Sequence, residues 1–126
     1  MKLIKTNKAP SAIGPYSQAV VANGMVFTSG QIALKADGND ELLSQDVIAQ
    51  SKQVLQNLDE VLKESGSSMS KVIKTTIFLA SMDDFAVVND IYEEAFGTHK
   101  PARATVAVKT LPKNALVEID AVALVD

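Results

Sequence analysis

The chain has 126 residues, of which 47% are hydrophobic and 21% charged, and its formal net charge is −3 at pH 7. It contains no cysteine and one histidine, which excludes disulfides, thiol nucleophiles, cysteine-ligated metals and any multi-histidine metal site. This composition is typical of a single globular domain, here residues 1–126, and the lack of a basic run argues against a nucleic-acid partner.

Neither targeting segments nor cofactor fingerprints are found along the chain. Residues 1–7 lack an apolar core long enough for a signal peptide, and no apolar run approaches a membrane span in length. The glycines do not have the spacing of a phosphate loop or a dinucleotide-binding turn. We therefore expect a cytoplasmic protein with no membrane partner, no cofactor and no metal.

The first half of the chain predicts a short edge strand, a hairpin and a helix. Leu3 and Ile4 form the predicted edge strand. The Asn-Gly pair at 23–24 separates two β-prone runs and is typical of a type I′ turn, which needs positive φ at both central residues. Residues 44–65 carry apolar side chains at helical spacing and predict an amphipathic helix that ends at Gly66.

The second half predicts a strand, a helix and two further strands. Residues 71–79 form the strand, and residues 82–96 form the helix, which Ser81 caps. The last two β-prone runs flank a loop at 109–116, and strands around a short loop usually pair antiparallel. This order predicts an α+β fold with one sheet and both helices on a single face.

The other face of such a sheet is left uncovered by helices. Its predicted residues are Lys74, Thr76, Phe78, Arg103, Thr105, Glu118, Asp120 and Val122. Because Val122, Phe78 and the neighbouring Val72 are too apolar for a fully wetted face, we expect the face to meet copies of itself in a small closed oligomer.

The last two strands carry the residues that are best suited to bind a ligand or to react with it. If their hairpin turns near Pro112, Arg103 faces Asp120 and Thr105 faces Glu118. One interpretation is a cross-strand ion pair between Arg103 and Asp120, which contributes little where it is exposed. The other is that Arg103 grips a ligand carboxylate bidentately while Glu118 orients or activates a water molecule.

Several other residues could line a pocket or serve the structure alone. Tyr16 either anchors its loop or presents a phenol to a ligand. Ser29 and Gly30 either end a strand or offer a hydroxyl and a backbone N–H that a ligand can approach closely. For Asn89 we expect a cap on a neighbouring loop, and for His99 a place in a surface loop.

Four segments resemble the reactive intermediate deaminase (RidA, YjgF-like) family of 2-iminobutanoate/2-iminopropanoate deaminases. They are residues 12–19, 27–32, 85–92 and the opening of the last two strands, 101–106 with 117–119. The resemblance spans nearly the whole chain. It implies a chorismate-mutase-like fold with a single mixed sheet and a homotrimer with three clefts between subunits.

The resemblance also implies an activity. Family members hydrolyse 2-imino and enamine acids, which escape from pyridoxal-phosphate enzymes, to 2-keto acids and ammonia, a form of metabolite damage control. The family's carboxylate-binding arginine falls on Arg103 and its water-positioning glutamate on Glu118. Its other substrate-binding positions fall on Tyr16, Ser29, Gly30 and Thr105. Many members have cysteine at the last of these, so the threonine puts thiol regulation in doubt.

Two other functions remain open at this point. A non-catalytic module that binds a small carboxylate, or a chaperone-like protein, would need Arg103 equally, and only Glu118 favours catalysis. The family has also been described as ribonuclease or translation-inhibiting. The acidic net charge and single histidine argue against RNA cleavage.

Overall fold

A computed structural model describes all 126 residues, which form six strands and two α-helices. The strands are β1 (Lys2–Ile4), β2 (Ala19–Ala22), β3 (Met25–Thr28), β4 (Val72–Leu79), β5 (Ala102–Ala107) and β6 (Val117–Leu124). The helices are α1 (Val47–Glu64) and α2 (Phe85–Phe96). Neither helix combines the length and apolar character that a membrane crossing requires.

The elements with strong local signals form where the sequence predicts them. Asn23 and Gly24 adopt φ values of 52° and 73° and join β2 to β3 in the predicted hairpin. The α1 helix begins after Asp46, whose carboxylate accepts a 3.0 Å hydrogen bond from the N–H of Ala49. Gly66, at φ 80°, follows its end.

The six strands form one mixed sheet in the order β1-β2-β3-β6-β4-β5. Strands β4 and β5 are parallel and are connected through α2, whereas all other neighbouring pairs are antiparallel. Both helices pack on one face of the sheet and bury the core against it. The largest fully buried side chains include Val26, Leu58, Leu62, Ile77, Leu79 and Ile119. The predicted architecture, one mixed sheet with two helices on one face, is confirmed.

The predicted antiparallel pairing of β5 with β6 is wrong, because β4 lies between them. Arg103 lies beside Thr75, and Asp120 lies beside Thr76, so the Arg103–Asp120 ion pair of the first interpretation does not form. The inward residues of β6 are at most 2% exposed, which suits a strand at the centre of the sheet. Strand β5 instead reaches the edge through the α2 crossover, which lays it parallel to β4.

The register also corrects the predicted composition of the open face. Arg103 and Thr105 lie on the helix-covered face, beside the buried Thr75 and Ile77. Glu118 lies beside Phe78 on the open face, as predicted. The large apolar side chains that this face exposes are Leu3, Phe27, Val106 and Leu124.

Candidate active site

The first part of the site, the arginine half-site, consists of Arg103, Asn89, Tyr92 and Phe85. Nη1 of Arg103 donates a 2.7 Å hydrogen bond to Oδ1 of Asn89 on α2. The guanidinium carbon lies 5.0 Å from the ring centroid of Tyr92 and 5.8 Å from that of Phe85, both within cation–π range. Arg103 belongs to none of the three ion pairs of the chain. It is therefore held in place with N–H donors left over, in the forked geometry that suits a carboxylate.

Tyr92 forms the platform of this half-site. Its hydroxyl lies 2.6 Å from Oγ1 of Thr75 in a buried hydrogen bond, and Thr75 is the strand neighbour of Arg103. Burial raises the pKa of Tyr92, although the hydrogen bond with Thr75 and the positive charge of Arg103 each act to lower it. The phenol therefore stays neutral and presents an intact ring to the guanidinium.

A pocket of about 340 Å³ opens beside Arg103, between the end of α2 and the loop that leads into β5. Lys100 and His99 lie on its wall. His99 lies in the loop between α2 and β5, as expected, but it is half-buried and its Nε2 lies 2.6 Å from the carbonyl oxygen of Val72. A carbonyl only accepts, so Nε2 carries the proton, and this bond ties the loop to the start of β4.

Thr105 follows Arg103 on the same face of β5. Its Oγ1 is buried and has no hydrogen-bond partner in the chain. A small gap between β4, β5 and α2 brings this residue together with Asn89 and Arg103. Because this hydroxyl has no partner, it can still form a hydrogen bond next to the arginine. Such a bond would remove the energetic cost of an unpaired buried hydroxyl.

The second part of the site, the glutamate half-site, is a pocket of about 130 Å³ where three loops meet. Its central residues are Tyr16, Gly30 and Glu118. A Cβ atom at Gly30 would lie 2.8 Å from Cδ and 3.1 Å from Cγ of Glu118, and closer still to Oε2. Only glycine leaves room for the carboxyl group to lie against the backbone here, and Tyr16 remains half-exposed above it.

Glu118 is a half-buried carboxyl group with no cation partner. Burial raises its pKa, and the negative charge of Asp120 on the same face raises it further. Burial also raises the pKa of Asp120, although a hydrogen bond from the backbone of Thr76 and the positive charge of Lys74 lower it. A raised pKa makes the Glu118 carboxylate a stronger base, which is the property a general base requires.

Ser29 does not line either half-site. Its hydroxyl donates a 2.5 Å hydrogen bond to the carbonyl oxygen of Ser17, and its N–H donates to that of Gln18 at 2.9 Å. The serine therefore holds the loop that carries Tyr16.

Arg103 and Glu118 do not meet within one chain. Glu118 is displaced from Arg103 by three residues along β4 and by two strand spacings, which separates their Cα atoms by about 14 Å. Their side chains also lie on opposite faces of the sheet. Any cleft that uses both must therefore combine the arginine half-site of one subunit with the glutamate half-site of another.

Asn89 is the residue whose role the sequence interpretation misses. The predicted loop cap is wrong, because its side-chain oxygen accepts the hydrogen bond from Arg103. Phe85, Asn89 and Tyr92 follow each other at i, i+4 and i+7 and so share one helix face. A polar residue inside that otherwise aromatic stripe was the signal that could have identified the arginine's support.

The fold and the two half-sites together define a small single-sheet α+β domain that carries an arginine outside any ion pair and a half-buried glutamate. Residues 6–125 match the family model described as Endoribonuclease L-PSP. The chain belongs to this family, which is the reactive intermediate deaminase family that the sequence resembles.

Two relatives and one solved structure illustrate the similarity. A RutC family protein of Synechocystis sp. is 50% identical over 125 residues, which cover 98% of this chain and 96% of that protein. The 2-iminobutanoate/2-iminopropanoate deaminase of Mus musculus is 46% identical over 123 residues, covering 98% and 90%. The crystal structure of E. coli TdcF with bound serine is 39% identical, covers 100% of both chains and has a TM-score of 0.93.

Proposed function

We propose that the protein hydrolyses 2-imino acids, such as 2-iminobutanoate and 2-iminopropanoate, to 2-keto acids and ammonia. The observation that carries this proposal is Glu118, a half-buried carboxyl group with a raised pKa and no cation partner, packed against Gly30. A site that only binds carboxylates gains nothing from a second negative charge, which would repel the ligand. A site that activates water needs such a base.

We infer that the active form is a homotrimer whose clefts each join two different subunits. The opposite orientations of Arg103 and Glu118 support this inference, because one chain cannot bring them together. The exposed apolar side chains of the open face support it as well, since they suit a subunit contact. A contact between two unlike surface patches closes into a ring when its rotation permits.

In the proposed reaction Arg103 holds the substrate carboxylate by two charge-assisted hydrogen bonds. The N–H of Gly30 and the hydroxyl of Tyr16 orient the substrate. Glu118 takes a proton from water as the water oxygen adds to the carbon of the protonated imine, C=NH2+, which gives a neutral carbinolamine. Glu118 then gives that proton to the amine nitrogen, the C–N bond breaks and ammonia leaves, and the hydroxyl proton passes to Glu118 as the carbonyl of the 2-keto acid forms.

The required acceleration is modest, because imines already hydrolyse in water. One general base supplies about 10²- to 10⁴-fold, and positioning by the two half-sites adds to that. No step calls for a metal or cofactor. The substrate contacts of Ser29 and Thr105 and the cytoplasmic location stay predictions.

A trapping assay tests the proposal. Threonine dehydratase generates the free imine, semicarbazide traps it, and purified protein competes with the trap. We expect faster loss of trappable imine with the wild type and no acceleration with folded Arg103→Ala or Glu118→Gln. Unchanged trapping with the wild type would contradict the deaminase proposal.

Carboxylate binding without catalysis is the second candidate, favoured by the relative that was crystallised with bound serine, an amino acid that carries a carboxylate. It predicts serine binding with no effect on trapping. RNA cleavage is disfavoured, despite the family model's description, by the acidic net charge and by the engagement of His99 with Val72. Incubation with RNA should leave it intact.

A further inference from the structure

We propose that three buried amide side chains, Gln18, Gln50 and Asn57, are positioning residues that hold the three loops of the glutamate half-site. Gln18 is 3% exposed, Gln50 0% and Asn57 1%. Each amide binds the backbone of a different loop. The proposal rests on the proposed function, because it assigns these bonds to the placement of Tyr16, the N–H of Gly30 and Glu118.

Gln18 holds the first loop, residues 9–17, which carries Tyr16. Its Oε1 accepts a 2.7 Å hydrogen bond from the N–H of Thr6. Its Nε2 donates to the carbonyl oxygen of Pro10 at 2.7 Å and lies 3.2 Å from that of Thr6. One side chain therefore closes the base of the loop against β2.

Asn57 holds the second loop, which follows Gly30. Its Nδ2 donates to the carbonyl oxygen of Leu34 at 2.8 Å and to that of Ile32 at 3.2 Å. Its Oδ1 accepts from Nε2 of Gln53 at 2.8 Å, which fixes the orientation of the amide. The loop is thereby tied to the buried face of α1.

Gln50 holds the third loop, which leads into Glu118. Its Oε1 accepts a 2.9 Å hydrogen bond from the N–H of Leu116, two residues before the glutamate. Its Nε2 donates to the carbonyl oxygen of Ser44 at 2.8 Å. Residues 113–114 just upstream adopt left-handed φ values of 56° and 55°, which few non-glycine residues do, and the bond from Gln50 adds to the two backbone hydrogen bonds within this turn.

An uncharged amide suits this task because it offers donors and an acceptor together without a buried charge. Loop backbone groups that leave water must be paired, and no regular ladder pairs them here. Two of the three amides lie on α1, so that helix serves as the rigid element to which two loops are fastened. Ser51 lies on the same buried face, but its hydroxyl has no partner, which makes it the matched control.

Three variants and two measurements test the proposal. Gln50→Met removes both bonds at similar length, Gln50→Glu keeps an oxygen for the N–H of Leu116, and Ser51→Ala removes an unpartnered hydroxyl. Amide hydrogen exchange at Leu116 reports the bond directly, without need of activity. Steady-state kinetics with 2-iminobutanoate report its consequence.

We expect Gln50→Met to speed exchange at Leu116 and to lower kcat about tenfold or more. KM should change by less than about twofold, because Arg103 in the other half-site holds the substrate carboxylate. Gln50→Glu should recover part of both effects, and Ser51→Ala should change neither. A purely structural role would lower thermal stability and leave kcat unchanged at temperatures where the variant is folded.

A folded Gln50→Met variant with the wild-type kcat would overturn the proposal. If that variant does not fold, the wild type decides: the N–H of Leu116 should be protected, whereas that of Lys113, which has no partner, should exchange freely. An unprotected Leu116 would overturn the proposal. If the wild type shows no deaminase activity, the proposed function fails, while exchange at Leu116 still tests the bond itself.

Discussion

Gly30→Ala separates the geometry of the glutamate half-site from the stability of the fold. The added methyl carbon would lie 2.8 Å from Cδ and 3.1 Å from Cγ of Glu118. Carbon atoms in contact normally lie about 3.5–4.0 Å apart. The carboxyl group must therefore retreat by about 0.7 Å or more, and its Oε2 must move further still.

The size of the effect follows from which atoms have to move. The clash involves the far end of a side chain that can rotate into a half-open pocket, so the free energy of unfolding should fall by about 1 kcal/mol at most, the low end of the cost of overpacking. The displaced group is the proposed base, and a misplacement of about 1 Å in an active site can lower the rate about 10²-fold. We expect a roughly hundredfold loss of kcat with nearly unchanged stability.

The matched control is Gly24→Ala, in the hairpin turn remote from both half-sites. An added Cβ there meets nothing within 4 Å, but φ is +73°, so alanine should lower the free energy of unfolding by about 1 kcal/mol. Its activity should remain that of the wild type. Imine trapping and thermal unfolding measured on both variants give the two effects independently.

Wild-type kcat in folded Gly30→Ala would refute the role given to the Glu118–Gly30 contact. A large loss of stability in Gly30→Ala together with the loss of activity would show that the contact supports the fold rather than the chemistry.

Three further predictions concern the charged residues. Arg103→Lys keeps the charge but loses the forked geometry and the bond to Asn89, so KM should rise at least about tenfold in steady-state kinetics. Glu118→Gln should unfold at a higher temperature than the wild type at pH 7. The folded chain raises the pKa of Glu118, so its charged form destabilises the fold above that pKa, and the gap should close as pH falls toward about 4.3. For the same reason, the wild-type kcat should fall on acidification at a pH above the ordinary glutamate range, because the base form is lost there.

Each of these three predictions would be contradicted by a specific result. An unchanged KM in Arg103→Lys would contradict bidentate binding of the substrate carboxylate by Arg103. A difference in unfolding temperature that persists at pH 4 would show that Glu118→Gln acts through packing and not through charge. A kcat that stays constant down to the ordinary glutamate pKa would exclude the half-buried carboxylate as the base.

Local chemistry made most elements predictable. The left-handed turn at 23–24, the apolar stripe of α1 and the glycine after it each follow from bonds between near neighbours in sequence. The order of the strands did not follow, because the pairing of β5 with β4 is decided by the crossover through α2 and by the burial of β6 at the centre. A loop of nine residues between β5 and β6 is compatible with either arrangement.

The candidate site is likewise predictable only in part. Gly30 and Glu118 come together once β3 and β6 pair, but the face on which Arg103 lies depends on the β4–β5 register. That register overturned the expectation that arginine and carboxylates share a face. Asn89 was missed because its partner lies on the strand after the helix, at a distance that helical spacing does not reveal.

Each active cleft of the proposed trimer takes Arg103 from one subunit and Glu118 from its neighbour. Arg103→Ala and Glu118→Gln should each be inactive as pure proteins, since every cleft lacks one group. Co-assembly of the two variants should restore some clefts, because an intact arginine half-site can meet an intact glutamate half-site.

In a random assembly of the two variants at equal ratio, about half of the clefts receive an intact Arg103 from one subunit, and about half of those receive an intact Glu118 from the other. About one quarter of the wild-type activity should therefore return. The measurement is the imine-trapping rate of the co-assembled protein beside that of each variant alone. Recovery near one quarter is the predicted result. A co-assembled protein no more active than its two parents would contradict the claim.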